Sequence, residues 1–309
     1  MPGSRATMKD VARASGVSPA TVSFVLNASS SQTIPAATRE RVQRAADELG
    51  YVPHGVARAL REGTSRIVVL NVARLPHASK GIASFIDGLD AELERYDHAL
   101  LVRYGARRGD VDRLVEAISP RAVLDLDRLY FEADPTVADG GWIDGLAAHT
   151  AVQIRYLIER GHTRIAMAVP DARLERLASI RLKYARKVVR DLGLPDLRVL
   201  TVGRSVELDG RALHELRERQ PEVTAVAGLD DDAALRVLAA ARGLGVSVPG
   251  KLAVIGFDDT AHGEFFSPSL TTVHVDAAAF GRRAARILLD RAPGTEVPGP
   301  STVVARESA

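Results

Sequence analysis

From residue 66 to residue 257 the chain alternates two kinds of apolar pattern, and this alternation constrains the fold more than any other feature. Short β-type runs are RIVVLNV (66–72), HALLVRY (98–104), RAVLDL (121–126), RIAMAV (164–169), RVLTV (198–202), AVAGL (225–229) and LAVIGF (252–257). Helical stretches such as GIASFIDGLDAELERY, AAHTAVQIRYLIERG and DDAALRVLAAARGLG lie between them. Short buried strands alternating with helices imply parallel sheets covered by helices on both faces. Ligands in such folds bind beyond the carboxyl ends of the strands. With 309 residues, 46% of them apolar and 26% charged, the chain has room for two or three domains.

Several function classes fall away on composition and motif. The sequence has no cysteine. That removes disulfides, thiolate catalysis and cysteine metal sites, and suits a cytoplasmic protein. No apolar run approaches the roughly 18 residues of a membrane span, so no membrane association is expected. The opening MPGSRAT has no apolar segment behind it and is not read as a secretory signal. GVSVPGKL (245–252) fits the first seven positions of a phosphate-binding loop, but Leu252 stands where Ser or Thr would hold magnesium. It also runs from helix into strand, the reverse of such a loop, so its glycines are read as ending a helix and turning the chain. The eight histidines are scattered and none pairs at i, i+4 around a Glu. The acid clusters, Asp125 with Asp127 and Asp230 to Asp232, could bind a cation but are read as solvated loop ends. There is no G-x-S-x-G nucleophile elbow. No catalytic residue, metal or cofactor is expected.

The head differs from the body. Residues 1–66 hold nine Lys/Arg against five acids, a local charge of +4 that leaves −2 for the remainder. This suits a polyanion partner, or simply a solvated helical surface. In MKDVARASGVSPATVSFVLN (8–27), Met8, Val11, Ala12 and Ser15 recur at i, i+3, i+4 and i+7 on one face of a short helix. Gly16 is suited to end it, Ser18 to cap the next helix and Pro19 to take its first position. Val22 and Val25 face inward. A third helix follows NASSSQTIP, with Val42, Ala45, Ala46 and Leu49 as its apolar stripe and Gly50 as its stop. Two helices joined by a tight glycine turn form a helix-turn-helix. In that motif the second helix sets its amino-terminal residues in the DNA major groove; here these are Ser18, Pro19, Ala20, Thr21 and Ser23. A helical hairpin in another kind of core would share the bare pattern.

YVPHGVARALREGTSRIVVLNV adds a helix-capable segment, then Gly63, then a strand. With it, the run from Met8 to Val72 resembles the lac repressor/galactose repressor family of bacterial transcription regulators. KDVARASGVSPATVSFVLN, TRERVQRAADELGYVP, the hinge segment VARALR and TSRIVVLNV match that family in type, order and spacing. The resemblance implies a homodimer on a near-palindromic double-stranded operator, acting as a repressor. It adds Phe24 and Asn27 to the DNA-facing set, and Val56, Ala57, Arg58 and Leu60 in a hinge helix. Leu60 is the wedge that such a helix inserts between central base steps, and Arg58 and Arg61 would neutralise phosphates. Phe24 departs from the family's usual polar or basic residue. It cannot make the bidentate contact of Arg to guanine, and is left to touch a thymine methyl or to pack. Gly55 weakens the hinge helix by about 1 kcal/mol relative to Ala.

The resemblance continues into the body. YLIERGHTRIAMAV resembles the start of the family's second core subdomain, and KLAVIGFDDTAHGEFFSPSLTTVHVDAAAFGRRAARILL and the terminal VVARES match closely. The implied fold is an all-α head followed by a type I periplasmic-binding-protein-like core of two Rossmann-like, parallel-sheet subdomains. The implied division is a helix-turn-helix domain over 1–53, a hinge and linker over 54–63, and an effector-binding and dimerisation core over 64–309. Its subdomains are 64–147 with 262–309, and 148–261. By the same resemblance a small, sugar-like effector would meet Arg181, Asp230 and Asp258, whose opposite charges can hold hydroxyl groups; the alternative is that Arg181 and Asp258 are structural partners. Three departures weaken the sugar reading. Tyr184 stands where relatives often have Gly. ARLPHASKGI, after the first strand, offers no aromatic to stack on a sugar. The stretch from Leu126 to Gly145 is too short for the strand and helix expected there, so the first subdomain looks trimmed. A periplasmic-type binding protein or an α/β enzyme would share the alternating core. The helix-turn-helix and hinge argue against the first, and the lack of a catalytic constellation against the second.

Overall fold

The computed structural model describes residues 6–26, 34–51, 63–72, 80–104, 108–126, 128, 140–171, 175–203, 205–294 and 298–309. Asn27 and the hinge residues Val56, Ala57, Arg58 and Leu60 lie outside this set. The chain divides into two compact units, residues 1–66 with 114–120, and residues 67–113 with 121–309.

The head is built from α1 (Met8–Ser15), α2 (Pro19–Leu26) and α3 (Ala36–Glu48). A capping box starts α1: the Thr7 backbone N–H donates to Asp10 Oδ2 at 2.9 Å, and the Asp10 carboxylate is held below its usual range by its bonds to Thr7. Gly16, at φ 64°, closes the helix in the left-handed conformation. One core joins the three helices, with Val11, Val22 and Val42 fully buried and Met8, Val17 and Tyr51 packed against it.

The larger unit has two lobes. The first carries a parallel sheet ordered β2-β1-β3 among the described residues: β1 (Ile67–Asn71), β2 (Ala99–Arg103) and β3 (Ala122–Asp125). Its helices are α4 (Lys80–Arg95) and, from late in the sequence, α10 (Ala277–Leu288), while α5 (Arg108–Ile118) is divided between the two units after Arg113. Val68 and Leu70 of β1 pack with Phe85 and Leu89 of α4 and with Ala277 and Ala284 of α10. The helices meet through glycines. A Cβ on Gly88 would stand 2.1 Å from the Ala278 carbonyl oxygen, and one on Gly281 would stand 2.1 Å from that of Phe85.

The second lobe holds a parallel sheet ordered β5-β4-β6-β7: β4 (Ile165–Pro170), β5 (Arg198–Val202), β6 (Ala225–Gly228) and β7 (Ala253–Ile255). Its helices are α6 (Trp142–Glu159), α7 (Glu175–Asp191), α8 (Val206–Arg219) and α9 (Asp231–Gly243). β8 (Thr272–His274) and β9 (Thr302–Val304) form an antiparallel pair. Gly245, at φ 65°, turns the chain after α9, so the G-x-x-x-x-G-K run leads out of a helix.

The second lobe takes back more of the carboxyl end than the sequence division allowed. Residues 275–289 pack in the first lobe, but Val273 and Val303 join the second lobe's core. The Val254 N–H donates to the Ser308 carbonyl at 2.7 Å and the Ser308 hydroxyl to the Val254 carbonyl at 2.6 Å. The ladder and the core that absorb these groups belong to the second sheet, so 262–309 is shared between the lobes.

Candidate functional site

Two regions collect the residues singled out by the sequence. The first is the amino-terminal turn of α2. Ser18 caps this helix, its Oγ accepting from the Thr21 N–H at 3.1 Å and lying 2.9 Å from Thr21 Oγ1. Ser18, Pro19 and Ala20 are exposed, and Thr21, Ser23 and Phe24 are half-buried. Val22 and Val25, on the opposite face, enter the core. Phe24 is not among the described side chains packed on that core. Lys9, Arg13, Arg39 and Arg44 are exposed around the head. Arg41 acts within the head, where its Nε donates to the Ser15 carbonyl at 2.8 Å and so satisfies a free carboxyl-end group of α1.

The second region lies beyond the carboxyl ends of β6 and β7. Arg181, on α7, is 1% exposed. Its Nη2 donates to Gln153 Oε1 at 2.7 Å, its Nε to Thr150 Oγ1 at 3.2 Å, and its Nη1 to the Leu229 carbonyl. The guanidinium also stacks on Phe257, 3.6 Å from the ring centroid. Gln153 Nε2 in turn donates to the carbonyls of Gly228 at 2.8 Å and Gly256 at 2.9 Å, so one amide ties α6 to the ends of both strands. Burial pulls Arg181 down to about 10, against the pull of Asp258 and Asp230, and it stays cationic near neutrality.

Asp230 caps α9, its Oδ1 accepting from the Ala233 N–H at 2.7 Å, and burial pushes its carboxyl above the usual range. Asp258 and Asp259 both have positive φ, 105° and 51°. Such backbone strain in non-glycine residues concentrates at functional sites. The carbonyl of Val273 and the hydroxyl of Thr272 hold this turn through the amides of Asp258 and Asp259. The fold thus brings Arg181, Asp230 and Asp258 into one electrostatic group.

One expectation is overturned here. Asp230 to Asp232 is not a solvated loop end, because Asp231 is fully buried. Its carboxylate accepts from the Thr260 N–H at 2.6 Å, the Thr260 hydroxyl at 2.9 Å and the Thr272 hydroxyl at 2.5 Å. Three donors in the loop and strand after β7 make burial tolerable, although desolvation still pushes its pKa up.

Other residues at this place escaped the sequence reading. Trp142, the only tryptophan, packs edge-on to Phe85 and Phe280 with ring centroids 5.4 and 5.8 Å apart. A Cβ on Gly81 would meet both Trp142 Cη2 and Asp258 Oδ1 at 3.2 Å, so the aromatic group reaches the aspartate. Trp142 and Phe280 belong to the first lobe's core cluster. Tyr184 is half-buried, one turn along α7 from Arg181. Thr150 and Gln153 had no motif to announce them. The one signal in the sequence was their spacing on one face of α6, at i and i+3, with His149 adjacent.

Comparison with known proteins bears on the head and the core in turn. Residues 7–54 match the model described as bacterial regulatory proteins, lacI family, and residues 154–309 match the periplasmic binding protein-like domain. The chain is 28% identical to the HTH-type transcriptional repressor PurR of Vibrio atlanticus, with 93% of this chain and 92% of that one covered. A solved structure of the lac repressor dimer bound to operator and the anti-inducer ONPF has a similar fold, with a TM-score of 0.74, 23% identity and 99% of both chains covered. A transcriptional regulator CelR–cellobiose complex is also similar, with a TM-score of 0.62, 27% identity and coverage of 99% of this chain and 100% of that one.

Proposed function

We propose that this chain, which belongs to the lacI family of bacterial regulatory proteins and carries a periplasmic-binding-protein-like core, is a DNA-binding transcriptional repressor that acts as a dimer on a near-palindromic operator. The observation that carries this is the exposed amino-terminal turn of α2, capped by Ser18 and held against α1 and α3 by a buried valine core. A helix held that way can enter a major groove without reorganising. Ser18, Thr21 and Ser23 offer hydroxyls to phosphates or base edges. Pro19 and Ala20 allow close approach, and Phe24 presents an apolar surface suited to a thymine methyl. Asn27, Val56, Ala57, Arg58 and Leu60 extend this surface by family resemblance, with Leu60 as the minor-groove wedge. The protein then works in the cytoplasm, where its DNA lies.

The core is the regulatory half. Arg181, Asp230 and Asp258 form the wall that meets a small effector, whose binding alters operator affinity. The head spans 1–53 and the hinge 54–63. In the core, the β2-β1-β3 sheet with α4 and α10 forms one lobe, and the β5-β4-β6-β7 sheet with α6 to α9 and the carboxyl-terminal residues forms the other.

The test is selection of duplexes from a randomised library by the full chain, followed by mobility-shift titrations. A palindromic consensus, weakened by Thr21→Ala, is the expected result. Retention of random duplexes with no enriched sequence would remove the operator reading. Leu60→Ala is expected to weaken operator binding more than nonspecific binding; equal losses would remove the wedge.

A further inference from the structure

Helix α2 has the sequence PATVSFVL, with no charged residue and no amide side chain. In the major groove, paired hydrogen bonds tell base pairs apart through Arg or Lys on guanine, Asn or Gln on adenine, and Glu or Asp on cytosine. None of these side chains stands on α2. Asn27 follows its last residue, at the end away from the turn that enters the groove. Hydroxyls remain on Ser18, Thr21 and Ser23, but a hydroxyl donates and accepts alike and so bonds to either kind of base edge. Two of them are also engaged with each other: Ser18 Oγ takes the Thr21 N–H and lies 2.9 Å from Thr21 Oγ1.

What α2 does offer is small apolar surface. Pro19 and Ala20 are exposed, and Thr21 and Phe24 are half-buried. Val22 and Val25 belong to the head's core and Leu26 packs against it. At 3.6 residues per turn, the face opposite these three is that of Ala20, Ser23 and Phe24. With its hydroxyl engaged at the cap, Thr21 keeps its Cγ2 methyl for another partner. The apolar feature of the major groove is the 5-methyl group of thymine, which no other base carries.

We propose that this protein reads its operator in the major groove through thymine methyl groups, with Ala20, Thr21 and Phe24 packing on the 5-methyls of A·T pairs in each half-site, and that no guanine is read there. This rests on the reading of α2 as the helix that enters the groove. Phosphate contact then falls to other parts of the head, where Lys9, Arg13, Arg39 and Arg44 are exposed. Charge supplies affinity and methyl contacts supply the choice of base, so the two have separate sources on the protein and respond to different changes in the DNA.

The test uses the full chain and the duplex enriched from the randomised library. Each thymine of a half-site is replaced in turn by deoxyuridine, which removes the 5-methyl and leaves every hydrogen-bonding edge in place. Affinity is read by mobility shift at several salt concentrations. A loss of about fourfold per contacted methyl is expected, the worth of one buried methylene. The salt slope should not change, because no phosphate contact is altered. Thr21→Ser keeps the hydroxyl and removes only the methyl, so it should make binding indifferent to one of these replacements, and Phe24→Ala to another. Deoxyuridine at every position without loss would overturn the proposal. Losses that persist in full in both variants would overturn it too, because the methyls would then be met elsewhere on the protein. A loss of about tenfold or more on replacing a half-site guanine by 7-deazaguanine, which lacks the N7 acceptor, would establish guanine reading in the major groove and overturn it as well. If no duplex is enriched, the operator reading itself fails and takes this inference with it, a result distinct from an enriched duplex that is insensitive to deoxyuridine.

Discussion

At the scale of single residues, the core turns on a guanidinium held by an amide. Gln153 fixes Arg181, and Arg181 balances Asp230 and Asp258. Arg181→Met would leave two carboxylates beside an apolar side chain. Removing one partner of a buried charge group is expected to cost about 3–5 kcal/mol in urea unfolding. His149 gives a second prediction. Its folded-state pKa of about 4 lies below the ordinary 6.5, so between those values the unfolded chain binds a proton that the native state does not. Stability is therefore expected to fall as the pH drops from 6.5 towards 4, and to level off below. His162 is shifted the same way, so in pH-dependent melting His149→Leu should flatten this decline without abolishing it. The sequence pointed to Arg181, Asp230 and Asp258 because they sit in runs that resemble a family. It did not point to Gln153 or His149, whose roles come from groups 28 to 131 positions away on other elements.

At the scale of elements, local chemistry was legible wherever it is local. Ser18 caps α2 and Gly16 closes α1 as their positions suggest, since both contacts lie within one turn. Ser18→Ala is expected to cost about 1 kcal/mol, read from the thermal unfolding of the head. Helix α6 was harder to see. It begins at Trp142, inside GGWIDGLAAHT, whose glycines look like loop in a linear reading. Gly145 lies within the helix, and it is glycine there because His149 and Phe280 occupy the space a side chain would need. The glycines of α4 and α10 work likewise. Gly281→Ala should raise helix propensity yet destabilise the protein in denaturant titration, by more than the roughly 1 kcal/mol that propensity favours, because its methyl would meet the backbone of Phe85 and Leu89.

At the scale of the molecule, the lobes are joined by charge as well as by chain. Lys80, at the start of α4, pairs with Asp259 Oδ2 at 3.3 Å and also donates to the Asp259 carbonyl. Arg306 reaches Asp259 Oδ1 at 3.0 Å, and the carboxyl is held below its usual range by Arg306 and Lys80 despite partial burial. Lys80 is nearly half exposed, so Lys80→Ala should change unfolding stability by less than about 1 kcal/mol, and the difference should shrink in high salt. DNA affinity should also fall with salt, and Arg58→Ala should lower the slope by about one if that residue meets a phosphate; an unchanged slope would remove it from the interface. The sequence by itself determined the head, its caps and turns, and the alternation of strand and helix that makes parallel sheets, because these follow from periodicity and from contacts a few residues apart. Only the tertiary structure decided that the carboxyl terminus returns to the second sheet, that Asp231 is buried among threonine donors, and that His149 lies between an aromatic group and Arg181. Those outcomes depend on which distant groups share a space, and spacing along a chain carries no record of that.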